Sequence, residues 1–371
     1  MQLNMELLRK IDRVHPYPAK FPIDLAIDYI TTYTAKGDTV YDPFVGSGTT
    51  LLASRVLGRK GFGTDVNHIA ILISSFKSLT LSDDDLKYLK SFIDDFKINA
   101  EKKTNEITPF YYPSIEHWFC NDSINVLSVI KHEIELIDSD KQKIFCKLVF
   151  SSIVNTVSNQ ESDTRYAAIK KNNLTVSHII DVFVKKFNLT LSLYESYIKM
   201  LEHCEDNHVF LQDSQYCNTI IEANSVDLIL TSPPYPNTYD YYLYHKHRMN
   251  WLEYDVKYSM NAEIGSRREY SSLKKPQEKF DNDLYTIFKS CDILLKNNGH
   301  VVIVMGDGKI QGKVYDAKEN IEKICNLLNW SVIDYTYTYL DQTSKSFQQS
   351  YRTKGKKEHV FTFKKEKKHD N

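Results

Sequence analysis

The chain has 371 residues, 42% of them apolar and 26% charged, with a formal net charge of −1. That length suits one large domain or two modest ones with the balance of an ordinary soluble globular protein, and a near-neutral charge means any nucleic-acid surface must be a local patch. No apolar run reaches 18 residues and the N-terminal MQLNMELLRKIDR is charged, so neither a membrane span nor a secretory signal is expected. The six cysteines, Cys120, Cys146, Cys204, Cys217, Cys291 and Cys325, form no CxxC pair. They read as reduced thiols of a cytoplasmic protein, with no disulfide framework and no metal.

In chain order, His15 to Pro22 (HPYPAKFP) carries three prolines and predicts an extended entry to a helix over Ile23–Thr32. Thr39–Tyr41 reads as a short strand that exits at Asp42-Pro43-Phe44. The glycine turn Gly46-Ser47-Gly48-Thr49 then leads into a helix over Leu51–Leu57. Strand, glycine turn and helix in succession leave free backbone N–H groups at a strand end, which is a place for a cofactor. Thr49 stands where a nucleotide triphosphate loop needs Lys, and the dinucleotide pattern GxGxxG is absent, so both of those cofactors are disfavoured. Gly61–Asp65 is a second strand ending in an acid placed to accept both hydroxyls of a ribose. A helix over Ile69–Leu79 follows.

From Thr80 to His208 the pattern is helical, with runs Leu86–Ile98, Ile124–Ile137, Lys141–Val157 and Val176–Met200. Glu161–Tyr166 reads as a plain loop in a polar gap between two of them, with contact to the substrate as the other reading. Val209–Leu211 is a third strand followed by Asp213, with Asn121-Asp122-Ser123 as a competing acid. Val226–Leu230 is a buried strand that stops where Pro233 and Pro234 forbid ladder hydrogen bonds. Its exit presents a hydroxyl (Ser232), a rigid carbonyl and a ring (Tyr235), which suits a planar, extruded nucleobase. Beyond it, tyrosines and cations interleave (Tyr239, Lys246, Arg248), as on a base-stacking, phosphate-neutralising surface. Leu243–Trp251 reads equally well as a buried helix. Asn261–Lys279, with Arg267, Arg268, Lys274 and Lys275, reads as a mobile basic loop. The rest predicts a helix Asp283–Leu295 stopped at Asn297-Asn298-Gly299, a strand His300–Met305 opening into a flexible Gly306-Asp307-Gly308, and a helix Ile321–Leu328. A hairpin-like pair, Trp330–Tyr339 with His359–Phe363, and a basic tail Lys364–Lys368 close the chain.

The stretches Asp42 to Thr49 (DPFVGSGT) and Thr231 to Tyr235 (TSPPY) resemble motifs I and IV of the amino-methyltransferases of DNA. These enzymes use S-adenosylmethionine to methylate the exocyclic amine of cytosine (N4) or adenine (N6). The resemblance implies an α/β fold: a Rossmann-like seven-stranded sheet with the last strand antiparallel and a mostly helical insertion between the second and third sheet strands. The catalytic domain would be residues 1–79 and 209–371, and the insertion, 80–208, a target-recognition lobe that shares its task with the basic segment 261–279. Lys20, Phe21 and Pro22 would pack against the methionine end of the cofactor, as motif X does. Asp42 would face its amino group, with Pro43, Phe44, Gly46, Ser47, Gly48 and Thr49 forming the close backbone wall. Asp65 would take the ribose and Asp213 the adenine. Ser232, Pro233, Pro234 and Tyr235 would hold and stack the flipped base. Serine at the first tetrad position usually accompanies N4 of cytosine, and no cysteine follows a proline as C5-cytosine methylation would require. The expected protein is thus a site-specific methyltransferase of double-stranded DNA, the modification partner of a restriction endonuclease in a prokaryotic or phage-like setting, with no metal. The other readings are an N6-adenine enzyme, an RNA or protein methyltransferase, and an inactive DNA-binding relative.

Overall fold

A computed structural model describes residues 3–172, 174–201, 207–339 and 356–366. It divides into two compact units. One holds Met1–Pro18, Ser75–Glu202 and Leu243–Lys257; the other holds Ala19–Ser74, His203–Tyr242 and Tyr258–Asn371.

The second unit is built on seven strands: β1 (Thr39–Asp42), β2 (Lys60–Asp65), β3 (Asn207–Leu211), β4 (Val226–Thr231), β5 (Leu295–Gly306), β6 (Trp330–Tyr339) and β7 (Lys357–Lys365). Their order across the sheet is β6-β7-β5-β4-β1-β2-β3. The first five run parallel, and β7 is antiparallel to both its neighbours. This is the expected seven-stranded sheet with its last strand reversed. The centre is β4, whose Val226, Leu228, Ile229 and Leu230 are all fully buried. A strand covered on both faces needs a continuous apolar run instead of an alternating one. Val40 lies opposite Leu228 and Tyr41 opposite Ile229, although the chain visits β2 and β3 between them. The sheet is thus extended outward in opposite directions from β1 and β4. Their carboxyl ends border the crevice where open α/β sheets keep ligands. Asp42 and Ser232 are the residues that emerge there.

The first unit is helical. Its main helices are Asp83–Lys103, Asn121–Glu135, Asp140–Val154 and Val176–Ile198, close to the expected spans. Phe183 and Phe187 recur one turn apart on the last of them and meet Phe96 and Phe145 at ring separations of 5.0 and 5.3 Å. Ser82 and Asp85 form a reciprocal capping box at the head of the first. Besides residues 75–79, two stretches far outside residues 80–208 group with this unit, those of the N-terminal helix Met5–Asp12 and the helix Lys246–Trp251. Their buried Leu8, Ile11, Met249 and Trp251 explain why. Glu161–Tyr166 is no plain loop: Gln160–Ser162 and Arg165–Ala168 form a small antiparallel hairpin.

Of the two readings of Leu243–Trp251, the structure takes the buried one, although as two short helices, Tyr241–Tyr244 and Lys246–Trp251, broken at His245 and not one continuous helix. Arg248 is fully enclosed: its Nε donates to the Ser151 carbonyl at 3.0 Å, Nη1 to the Tyr244 carbonyl at 3.3 Å, and Nη2 pairs with Asp163. An arginine held this way is a structural ion pair and not a phosphate contact. Tyr239 is also buried, and the Lys246 ammonium lies 5.8 Å from the Tyr166 ring centre.

His247 sits beside that arginine, stacked on Tyr166 at 5.2 Å, with the Tyr112 hydroxyl 3.2 Å from Nδ1. Burial, aided by the nearby charges of Lys246 and Arg248, lowers its pKa to about 3. It is neutral in the folded chain but takes a proton below ~6.5 once unfolded. Its contribution to stability is therefore complete above ~6.5 and shrinks as pH falls, by about 1.4 kcal/mol per pH unit. In urea unfolding at pH 8 and pH 5, His247→Phe should lose less stability on acidification than the parent. Equal losses would mean the imidazole is charged in the folded state.

Candidate cofactor and catalytic site

The glycine turn after β1 is shaped by backbone that side chains resist. Gly46 and Gly48 have φ of +48° and +75°, where a Cβ is strained. Gly48 caps the helix Thr49–Val56. Val45 N–H donates to the Thr64 carbonyl at 3.0 Å, which holds the turn against β2. Asp65, at the end of β2, closes the turn. One carboxylate oxygen accepts the Gly46 N–H at 3.0 Å and the other the Asn67 N–H at 2.8 Å. Burial pushes its carboxyl up to about 6.

Asp42 does more than the sequence suggested. One oxygen accepts from the Phe44 N–H at 3.0 Å and the Thr231 hydroxyl at 2.6 Å; the other accepts the Thr50 hydroxyl at 2.7 Å. Thr231 is the residue immediately before Ser232. A single carboxylate thus ties β1, the glycine-turn helix and the last residue of β4 together. Burial pushes it up to about 6 against the pull of these donors. Asp213 opens the short helix Ser214–Thr219, accepting from the backbone N–H and side-chain amide of Gln215 at 3.0 and 2.7 Å. Ser214 bonds to the Pro43 carbonyl and the Thr64 hydroxyl, which brings the exit of β3 to the turn. The competing Asp122 lies in the helix Asn121–Glu135 of the other unit. Lys20, Phe21 and Pro22 precede the helix Ile23–Tyr33 in the same unit as the turn, with Pro22 at its N-cap.

At the exit of β4, Ser232 is half-buried and Tyr235 buried. The Tyr235 hydroxyl donates to Glu358 Oε1 at 2.6 Å. Burial and the Glu358 carboxylate raise its pKa well above the usual tyrosine value, while a hydrogen bond with Ser232 pulls the other way. The ring lies so close to Gly306 that a Cβ there would come within 2.6 Å of it. Gly306-Asp307-Gly308 is accordingly a pinned segment instead of a flexible one. Asp307 accepts from the His359 ring at 3.0 Å, the Lys357 N–H at 3.0 Å and the Ala317 N–H at 3.1 Å.

The expected mobile loop 261–279 is ordered by buried acids. It contains the end of the helix Val256–Ala262, a π-helical turn Arg268–Ser272 and the start of the helix Gln277–Leu294. Glu263, buried, accepts the N–H groups of Tyr241 and Tyr242 at 2.8 and 2.9 Å, and burial pushes its carboxyl up to about 8. Asp240 accepts the Arg268 N–H at 3.0 Å. Arg267 and Arg268 are half-buried, whereas Lys274 and Lys275 are exposed. Glu263, Glu358 and the Asp307–His359 pair escaped the sequence reading. An acid in a polar stretch looks solvated until the fold encloses it, and nothing in the residue pattern marks it.

The donor set fits S-adenosylmethionine, which brings an ammonium, a sulfonium and a ribose diol. Two carboxylates, the buried Asp42 and the half-buried Asp65, end adjacent strands with a glycine turn between them, and a third acid, Asp213, lies beyond. Sheet and site together define an S-adenosylmethionine-dependent methyltransferase. The chain belongs to the N6/N4 DNA methylase family, which matches residues 4–75 and 226–371, more than half of its length. The stretch between those matches is mostly the helical unit. The chain is 23% identical over 364 residues to the type II methyltransferase M.BsoBI of Geobacillus stearothermophilus, covering 88% of this chain and 69% of that one. It is 25% identical over 279 residues to the type II methyltransferase M.MvaI of Kocuria varians, covering 68% and 60%. Among solved structures, an rRNA methylase from Streptococcus thermophilus aligns over 94% of this chain and 99% of that one with 9% identity and a TM-score of 0.36, too distant to bear on substrate. Among the described residues, no group of His, Cys, Asp or Glu could hold a metal ion, and no helix is long and apolar enough to cross a membrane.

Proposed function

We propose that the protein methylates N4 of cytosine in double-stranded DNA, on a base turned out of the helix and held at Ser232, Pro233, Pro234 and Tyr235. The observation that carries this reading is Ser232, at the first tetrad position, standing at the carboxyl end of β4 beside the Asp42–Thr231 bond. The exocyclic amine is a poor nucleophile because its lone pair is delocalised into the ring. The Ser232 oxygen and the Pro233 carbonyl accept its two hydrogens, which favours a pyramidal nitrogen with a free lone pair. The Ser232 bond to Tyr235 matters here. The Tyr235 proton is given to Glu358, so the serine hydroxyl would donate to the tyrosine oxygen, the sense in which it lowers the tyrosine pKa, and keep its lone pairs as acceptors. When bound, S-adenosylmethionine would supply an electrophilic methyl group, whose carbon–sulfur bond breaks as the carbon–nitrogen bond forms and leaves a neutral thioether. Asp42 and Asp65 hold its charged and hydroxyl groups, and fixed alignment of the two reactants provides much of the acceleration. As the new C–N bond forms, the nitrogen releases a proton along its hydrogen bond to these acceptors and on to water.

The exposed Lys274 and Lys275 support a phosphate-contacting edge. The helical stretch 80–208, which lies outside the family match, suits target recognition. Likeness to type II methyltransferases supports a role in modification beside a cognate restriction endonuclease. The expected product is N4-methylcytosine, identified by mass spectrometry after duplex DNA methylated in vitro is digested to nucleosides. N6-methyladenine would transfer the reading to adenine. Label appearing only in RNA or protein would overturn the DNA substrate.

A further inference from the structure

Beside the tetrad, within the sheet-bearing unit, lies a cleft of about 460 Å³ lined by Asn237, Tyr270, Ser271, Lys274, Gln311 and Gly312. Three separate pieces of chain meet there: the turn just after the tetrad, the π-helical turn Arg268–Ser272, and the tip of the small hairpin Gly308–Ile310/Lys313–Tyr315. Three of its six residues hold left-handed backbone without being glycine, with φ of +56° at Asn237, +53° at Lys274 and +47° at Gln311. Such conformations are uncommon outside glycine, and like π-turns they collect at functional sites.

The polar atoms of the cleft have a common character. Gln311 Nε2 donates to the carbonyls of Lys274 and Lys275, both at 3.0 Å, and no described donor reaches its amide oxygen. Ser271 donates to the Asn237 amide oxygen at 2.8 Å, which leaves the serine oxygen able to accept. The buried Tyr270 hydroxyl has no hydrogen-bond partner among the described residues. An unsatisfied buried polar group calls for an explanation. Ser271 and Gln311 therefore offer hydrogen-bond acceptors, beside the Tyr270 hydroxyl, which can donate or accept, with one exposed ammonium, Lys274, at the edge of the cleft.

We propose that this cleft is a nucleotide subsite for the neighbour of the target on the substrate strand, with Ser271 and Gln311 reading the base edge and Lys274 meeting the phosphate. The inference rests on the reading that DNA is the substrate. Acceptors select donors: adenine and cytosine present an amino group on the major-groove edge and guanine one on the minor-groove edge, whereas thymine presents no donor on either, only an acceptor on each and a methyl group on the major-groove one. The subsite thus discriminates against thymine at one position beside the methylated base.

The test is a library of duplexes with randomised flanks, methylated in vitro by the full-length protein and sequenced by a method that detects the modified base. The parent protein should disfavour thymine by about tenfold at one adjacent position. Gln311→Ala and Ser271→Ala, both at exposed positions, should abolish that bias at this position alone. Lys274→Ala should raise KM for every flank alike without changing the bias. Methylation with no thymine bias, or a bias that survives both alanine variants, overturns the subsite and leaves the proposed function standing. A KM unchanged in Lys274→Ala overturns the phosphate contact. No methylated DNA from the parent protein overturns the proposed function itself.

Discussion

Ser232→Ala should slow methyl transfer by roughly two to three orders of magnitude while leaving cofactor affinity unchanged. The size follows from removing one preorganised hydrogen bond to the reacting group, which typically costs 10²–10³ in kcat. The structure adds a second arm. In the proposed mechanism the Ser232 acceptor would be oriented through Tyr235, whose hydroxyl is held by Glu358. Tyr235→Phe keeps the ring that would stack on the base but releases the serine hydroxyl to point its hydrogen at the amine. It should lower kcat with KM for DNA largely kept, whereas Tyr235→Ala should also weaken binding of the base, stacking being worth ~1–3 kcal/mol. Single-turnover kinetics with saturating cofactor separates these effects. A Ser232→Ala enzyme with near-normal turnover would remove the hydroxyl from the chemistry.

Asp42→Asn should weaken binding of S-adenosylmethionine by roughly ten- to a hundredfold, the equivalent of one hydrogen bond to a charged group at ~1.5–3 kcal/mol. Asparagine is the informative replacement. Alanine would strand the buried Thr231 hydroxyl without its acceptor and leave Thr50 only its longer bond to the Leu230 carbonyl at 3.3 Å, at ~1–3 kcal/mol for the stranded group, and so confuse a binding defect with an unstable fold. A pH series sharpens the test. Both Asp42 and Asp65 are pushed up to about 6 by burial, and it is the ionised forms that would attract the cofactor. Affinity should rise with pH through about 6 and level off above it, since deprotonation is then complete. The rise should be shallower in Asp42→Asn, where Asp65 alone titrates. Calorimetry between pH 5 and pH 8 reads both effects. Affinity that is flat with pH in the parent, or unchanged in the variant, would take Asp42 out of the site.

Much of the sheet unit could be read from local pattern because its signals are local. A continuous apolar run ending at two prolines is a buried strand wherever it lies, so β4 and its exit at Ser232 were legible. Two glycines spaced to adopt positive φ mark the turn after Asp42. The four long helices of the other unit followed from the three-four spacing of residues such as Phe183 and Phe187. The misread stretches share a different cause. Arg248, Glu263 and Asp307 are charged groups, which a sequence assigns to the surface because burying a charge is costly. Each is enclosed because a partner distant in the chain satisfies it: Asp163 for Arg248, and His359 for Asp307. For Glu263 the partners are the amides of Tyr241 and Tyr242, about 20 residues away along the chain.

By itself, then, the sequence determined the strands, the glycine turn, the tetrad and the kinship they carry, since backbone-limited residues such as Gly48, Pro233 and Pro234 act through their own φ and ψ. Only the tertiary structure decided that β1 and β4 are neighbours, that Asp42 reaches Thr231, that Glu358 and Gly306 clamp Tyr235, and that Asn237, Ser271 and Gln311 share one cleft. Those are pairings between residues 34 to 189 positions apart. They depend on the order of strands across the sheet, which no local pattern of residues encodes.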